Sequence, residues 1–346
     1  MATKTTITFK PKIIVKKLLS ILVPRAKDVI SSRYGLGDNT QRLTLEAIGK
    51  KYTITRERVR QIENYSLDHI RKSKEYKESL PVFEELKGVL DAMGSMVPEE
   101  ELLISFTKDK STQNHIHFLL VVGEQFTRFK EDEHFKTRWH IDSELADLVH
   151  ESLKKAYQNL SNDDLITEPD FIESFIKDLE GVAEKYKSEE IIKRWLSLSK
   201  KIGRNPLGEW GKADSSNINA RGMRDYAFLV IRKHGSPIHF REVAESITKI
   251  FNKKAHVATT HNELIKDPRF VLVGRGLYAL AEWGYMSGVV KDVIRKLLDK
   301  HGPLTKQEII DKVLKERYVK ENTIVVNLQN PKYFKKDSQG RYSLAN

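Results

Sequence analysis

The chain of 346 residues contains no cysteine. That excludes disulfide staples, cysteine-ligated zinc and a thiol nucleophile, and it fits a cytoplasmic protein. No run approaches the roughly 18 apolar residues of a membrane-spanning helix. Lysines precede the short apolar run LLSILV near the N-terminus, but the run is too short for a secretory leader and lacks a small-residue cleavage site, so no membrane partner is expected. Catalytic signatures are missing too: there is no P-loop, no HExxH and no GxSxG, and no spacing sets an acid opposite a base. His115 and His117 have no third ligand nearby, so positions on a helix or strand face are expected instead of a metal site. Asp163 and Asp164 read as a helix N-terminus, where carboxylates favour the macrodipole. Gly274 and Gly276 are not followed by a helix and read as the turn of a wing instead of a phosphate loop. The expectation is a protein that is not an enzyme, with no catalytic residue, cofactor, metal or small-molecule ligand.

What is abundant is positive charge, unevenly spread. The formal net charge is +12. Residues 1–78 hold 18 Lys and Arg against 8 Asp and Glu, residues 79–200 hold 15 against 25, and residues 201–346 hold 27 against 15. The basic ends suit a polyanion, and the acidic middle suits a protein surface.

The densest information lies in LTLEAIGKKYTITRERVRQIENYSLDHIR, from Leu43 to Arg71. Thr44 caps a short helix that turns Leu45 and Ile48 inward, and Thr55 caps a second with Val59, Ile62, Ser66 and Ile70 as its inner stripe. Two helices joined by so short a turn form a helix-turn-helix, whose second helix is shaped for a major groove. On its outer face Arg56, Glu57, Arg60, Gln61 and Asn64 recur at helical spacing. Arginine can pair with guanine, glutamine or asparagine with adenine, and glutamate with cytosine. Thr44 and Thr55 complete the set of expected DNA-binding residues, and double-stranded DNA is the expected partner.

Read from Leu22 to Arg71, including the RYGLG turn and TRERVRQIE, residues 20–74 resemble region 4 of the sigma-70 family of bacterial RNA polymerase initiation factors. The resemblance implies that Arg56, Glu57, Arg60 and Gln61 stand where the family contacts the −35 promoter element, with Val59 and Ile62 in its core. It also implies bacterial RNA polymerase as a partner, through the helices before Gly49. The family commonly has basic residues where this chain has Tyr65 and Asp68, positions that serve backbone contacts and activator docking. Nothing in the chain resembles sigma regions 2 and 3.

Around this segment a mainly α protein is expected: residues 1–78 as a helix-turn-helix with a basic N-terminal arm, then small winged-helix units over 79–142, 143–215, 216–287 and 288–346. The lead TKTTITFKPKIIVKK reads as an extended arm, either poorly ordered or touching phosphates. The helix from Pro24 to Tyr34 ends at Gly35 and Gly37. ARGMRDYAFLVIRKHGSPIHFREVAESITKIF followed by DPRFVLVGRGLYALAEWG resembles the HARE-HTH winged helix over about 218–287, as in the delta subunit of RNA polymerase. Pro237, Ile238, His239, Phe240, Pro268, Arg269, Phe270, Gly276 and Trp283 carry that likeness. KHGPLTKQEII and NPKYFKKDSQGRYSLAN echo it in shortened form. The expected function is a DNA-binding transcription regulator reading a −35-like element. The alternatives are an RNA polymerase-binding protein without base readout and a DNA-binding accessory of a restriction or mobile-element system.

Overall fold

The computed structural model describes residues 6–179 and 181–345; the part of the expected arm that falls on residues 1–5 lies outside them. The chain is mainly helical, with small antiparallel sheets. It packs as two units, one running to Gly203 with Trp210–Ala213, the other made of Arg204–Glu209 and the chain from Asp214 onward.

The first unit opens with α1 (Pro11–Leu19), α2 (Pro24–Tyr34), α3 (Leu45–Tyr52), α4 (Arg56–Lys72) and α5 (Lys74–Glu78). The lysine-rich lead is therefore not a free arm along its described length. Proline at the first helical turn starts α1, and Val15, Leu18 and Leu19 are buried in the core. Each such side chain contributes about 1.5–3 kcal/mol on burial, which holds the segment down. Pro11, Ile14, Val15, Leu18 and Leu19 recur there at helical spacing and turn inward, the mark of an amphipathic helix.

The chain continues through α6 (Leu80–Ala92), β1 (Met96–Pro98), α7 (Glu99–Phe106), α8 (Lys110–Val122), β2 (Thr127–Phe129) and β3 (Arg138–His140). The strands are ordered β1-β3-β2, so the short first strand adds to the second strand of the closing hairpin. His115 and His117 sit on α8 and are buried. The hydrophobic core does not break at residue 78: one cluster runs from Val15 and Leu18 through Ile70 and Phe83 to Phe118 and Trp139.

The plan then recurs with α9 (Ser143–Asn159), α10 (Glu168–Lys177), α11 (Glu189–Leu196) and a hairpin of β4 (Ile202–Arg204) and β5 (Trp210–Lys212). A single bridge from Ile166 to Trp210 takes the place of the first strand. Asp163 and Asp164 do not begin a helix. They lie in the connection, where Asp164 accepts hydrogen bonds from the Ser161 amide and hydroxyl at 2.7 and 2.6 Å. The helix starts later, at Glu168 after the N-cap residue Thr167, with proline in its first turn.

In the second unit α12 (Met223–His234), β6 (Ile238–His239), α13 (Phe240–Phe251), α14 (Val257–Lys266), β7 (Phe270–Leu272) and β8 (Leu277–Leu280) repeat the plan, with strand order β6-β8-β7. Gly276 has φ of 74°, and a Cβ there would lie 2.6 Å from the His239 ring, so the turn and its close approach both require glycine. The last repeat is α15 (Val290–His301), β9 (Leu304–Thr305), α16 (Lys306–Glu316), α17 (Glu321–Leu328), β10 (Phe334–Lys336) and β11 (Arg341–Leu344), with β11 between β10 and β9. Helix, short strand, two helices and a hairpin, repeated along the chain, is the winged-helix plan.

Candidate nucleic-acid interface

Local chemistry fixes the angle between α3 and α4. Thr44 Oγ1 accepts the Ala47 amide and Thr55 Oγ1 the Arg58 amide, each at 3.1 Å, so both threonines act as N-caps. Both are exposed, and each hydroxyl keeps its own proton to donate. Between the helices Thr53 takes φ of 53° and the Ile54 amide returns to the Gly49 carbonyl at 3.0 Å. A Cβ on Gly49 would stand 2.6 Å from the Ile54 carbonyl oxygen, so only glycine lets the chain turn this tightly. Behind the turn Val29, Ile48 and Val59 are fully buried as a small core, with Leu45, Tyr52, Ile54 and Ile62 packed around it.

The opposite face of α4 is open. Arg56, Glu57, Arg60, Gln61 and Asn64 are all exposed there, as their helical spacing requires once Val59, Ser66 and Ile70 point inward. They are not independent. Arg60 donates Nε and Nη2 to the two oxygens of Glu57 at 2.9 and 2.7 Å. This bond holds the Glu57 carboxyl below its usual range and pushes the Arg60 guanidinium up. Arg58 Nη1 donates to Gln61 Oε1 at 3.0 Å. Arg58, which sequence reasoning passed over, thus flanks this face as a further exposed cation. Farther along, Tyr65 stands out 73% exposed, its ring stacked on His69 with centroids 6.1 Å apart, and Asp68 pairs with Arg71 at 3.3 Å.

Sequence reasoning also missed the residues that hold α4 in place. Glu63 points inward, where it accepts the Tyr34 phenol at 2.7 Å and Arg33 Nε at 3.3 Å, while Arg33 Nη1 reaches the Leu43 carbonyl at 3.0 Å. Burial, and then the Glu63 carboxylate, push the Tyr34 phenol far above its ordinary range. The RYGLG turn is thereby tied to the recognition helix. Asn114 of α8 donates to the Gly35 and Thr40 carbonyls at 3.0 and 2.8 Å, and its own oxygen accepts Arg42 Nε at 2.8 Å. At the far end of α4, Arg71 donates to the Val122 and Val121 carbonyls at 3.1 and 3.0 Å. Those carbonyls belong to the open C-terminal turn of α8, which a cation suits. Polar contacts at such sequence separations leave no periodic trace; only the burial of Glu63 and Asn114 in the folded chain gives them away.

Among the described residues no group of His, Asp and Glu could hold a metal ion, and no helix is long and apolar enough to cross a membrane.

Residues 18–72 match the family model described as Sigma-70, region 4. The chain is similar to RNA polymerase sigma factor SigA of Clostridium acetobutylicum, 45% identical over 67 residues, covering 18% of each chain. It is similar to RNA polymerase sigma factor SigA1 of Synechococcus elongatus, 50% identical over 54 residues, 16% of this chain and 13% of the relative. With RNA polymerase sigma factor RpoD of Neisseria gonorrhoeae it shares 41% identity over 58 residues, 17% of this chain and 9% of the relative. The likeness spans less than a fifth of the length of these relatives.

Proposed function

We propose that this chain is a DNA-binding transcription regulator whose sigma-70 region 4-like helix-turn-helix reads a −35-like promoter element and associates with bacterial RNA polymerase. One observation carries the reading. Five side chains with base-reading chemistry, Arg56, Glu57, Arg60, Gln61 and Asn64, stand exposed on one face of α4, in the segment that matches the family model. Arg56 and Arg60 would take guanine O6 and N7, Gln61 and Asn64 adenine N6 and N7, and Glu57 the amino group of cytosine. Thr44 and Thr55, at the two helix starts, would hold phosphate oxygens and set the register. The winged-helix repeats, including the HARE-HTH-like one over residues 216–287, would add contacts to polymerase or to flanking DNA. No catalytic step is part of this reading, and its place of action would be the cytoplasm.

A second reading has one observation in its favour. The Arg60–Glu57 pair forms without DNA, as on a solvated helix face, and an RNA polymerase-binding protein without base readout would keep such a pair intact. Fluorescence anisotropy separates the two. The full chain is titrated onto a duplex with a −35-like element and onto a shuffled duplex across a salt series, beside Arg60→Ala. Base reading requires a preference that survives rising salt and that Arg60→Ala lowers by roughly ten- to a hundredfold. Equal binding to both duplexes, steeply weakened by salt, would leave only phosphate contacts and sink the promoter-reading proposal.

A further inference from the structure

In the second unit the two winged-helix repeats are fastened to each other by backbone. The Tyr318 amide donates to the Val273 carbonyl at 2.7 Å, and Gly274 pairs with Tyr318 as a parallel bridge. A Cβ on Gly274 would lie 3.0 Å from the Tyr318 carbonyl oxygen, so the approach is close. Arg317, almost wholly buried, adds a second fastening: its guanidinium donates to the Met286 and Gly288 carbonyls in the connection between the repeats, while a third bond goes to its neighbour, the Glu316 carbonyl at the end of α16.

Beside this joint runs an open groove of about 840 Å³. Its walls include Leu272, Val289, Leu314 and Tyr318, which are 46%, 62%, 39% and 56% exposed. Four large apolar side chains left in water along one groove are unusual for a finished surface and mark a place where something binds. The charge around them has one sign. Arg275 and Lys320 stand exposed at its edge, and no aspartate or glutamate lines it. Neither cation pairs with a carboxylate among the described residues. Leu272 belongs to β7, an edge strand of its sheet, so backbone groups are available there as well.

We propose that this groove is a docking site for an acidic amphipathic segment of a partner protein, whose apolar side chains fill the space between Leu272, Val289, Leu314 and Tyr318 while its carboxylates meet Arg275 and Lys320. The charge decides the class of occupant: a basic or neutral apolar segment would leave both cations unpaired beside it. The open form suits a chain segment more than an enclosed small molecule. Because backbone bonds already hold both walls, binding requires little ordering of the groove. No residue of α4 lines the groove, and the proposal does not depend on base reading.

The test uses the full chain and two fluorescently labelled peptides of about five helical turns. Each carries leucine at core spacing; one has glutamate at every other position and the other lysine. The expected result is saturable binding of the glutamate peptide only, weakening as salt rises. The Arg275→Glu, Lys320→Glu double variant should lose at least tenfold in affinity, Leu314→Asp should lose a similar amount, and Arg60→Ala should bind as the unaltered chain does. Both altered rim positions are exposed, so the charge reversal still decides the matter if Leu314→Asp fails to fold. Absence of saturable binding by the unaltered chain, equal binding of both peptides, or a rim variant that binds like the unaltered chain would each overturn the proposal.

Discussion

The Tyr34 phenol donates a 2.7 Å hydrogen bond to Glu63 across 29 residues of sequence, joining the turn after α2 to the inner face of the recognition helix. Both side chains are buried, and the Tyr34 ring also meets Phe118 edge-on at 5.1 Å. Tyr34→Phe keeps the ring and removes only the donor, leaving Arg33 as the remaining partner of Glu63. A hydrogen bond to a buried carboxylate contributes about 1.5–3 kcal/mol, so the variant should melt several degrees lower in thermal unfolding followed by circular dichroism. The same pair makes the first unit sensitive to alkali. The folded phenol has its pKa raised, so the unfolded chain loses that proton first. Stability is then fully present below the ordinary tyrosine value of 10.0 and falls as pH rises beyond it. Tyr34→Phe should flatten that alkaline slope.

Glu57 and Arg60 give a prediction about selectivity. In the free protein the two hold each other at 2.7 and 2.9 Å, so on the proposed reading a guanine edge would have to displace the carboxylate. Glu57→Gln removes the competitor and one negative charge close to phosphates. Anisotropy titrations should show affinity rising several-fold on both the −35-like and the shuffled duplex, while the ratio between them falls. An unchanged ratio would mean that Glu57 neither contacts a base nor orients Arg60.

The two caps and the outer face of α4 were legible in the sequence because they obey local rules. Thr44 and Thr55 precede apolar positions at helical spacing, and exposure follows once Val59 and Ile70 are placed inside. The repeated winged-helix plan was legible for the same reason, since each hairpin is flanked by turn residues. What could not be read depends on long-range packing. The lysines of α1 resemble those of a solvated arm until Val15 and Leu18 find α8. Glu63 looks like any other charge on a charged helix until Tyr34 and Arg33 meet it. Asp163 and Asp164 follow the composition of a helix start, yet a turn at Ser161 captures Asp164 first.

His150 makes the first unit labile in acid. Arg138 lies between the rings of Phe129 and Phe135, 4.9 Å from each, and donates Nε to His150 Nε2 at 2.7 Å. That bond needs a neutral imidazole. Burial, and then the Arg138 charge, hold the ring down at about 4, against 6.5 when free. The unfolded chain therefore takes up a proton that the folded chain refuses, and stability falls as pH drops from 6.5 toward 4. Burial lowers His117 and His140 as well, in the same sense. His150→Gln, which keeps an acceptor for Arg138, should reduce the dependence of the urea midpoint on pH over this window without removing it.

Asn114 lies on α8, well outside the helix-turn-helix, yet it holds the loop that leads into α3. It donates to the Gly35 and Thr40 carbonyls and accepts from Arg42, and it is fully buried. Asn114→Ala leaves two carbonyls and a guanidinium nitrogen without these partners, each a cost of about 1–3 kcal/mol where water cannot replace the bond. Amide hydrogen exchange should accelerate over residues 35–44 while the α12–α14 amides stay as protected as before. A fragment of residues 1–78 loses more, because Val15, Leu18, Ile30 and Ile70 share one core with Phe83, Phe118 and Trp139. Although it retains all five side chains proposed to read bases, it should give a poorly dispersed amide spectrum and bind a −35-like duplex without the preference proposed for the full chain. A well-dispersed spectrum with full preference would show that α8 is dispensable to the recognition helix, and that the helix-turn-helix stands on its own caps and its small core of Val29, Ile48 and Val59.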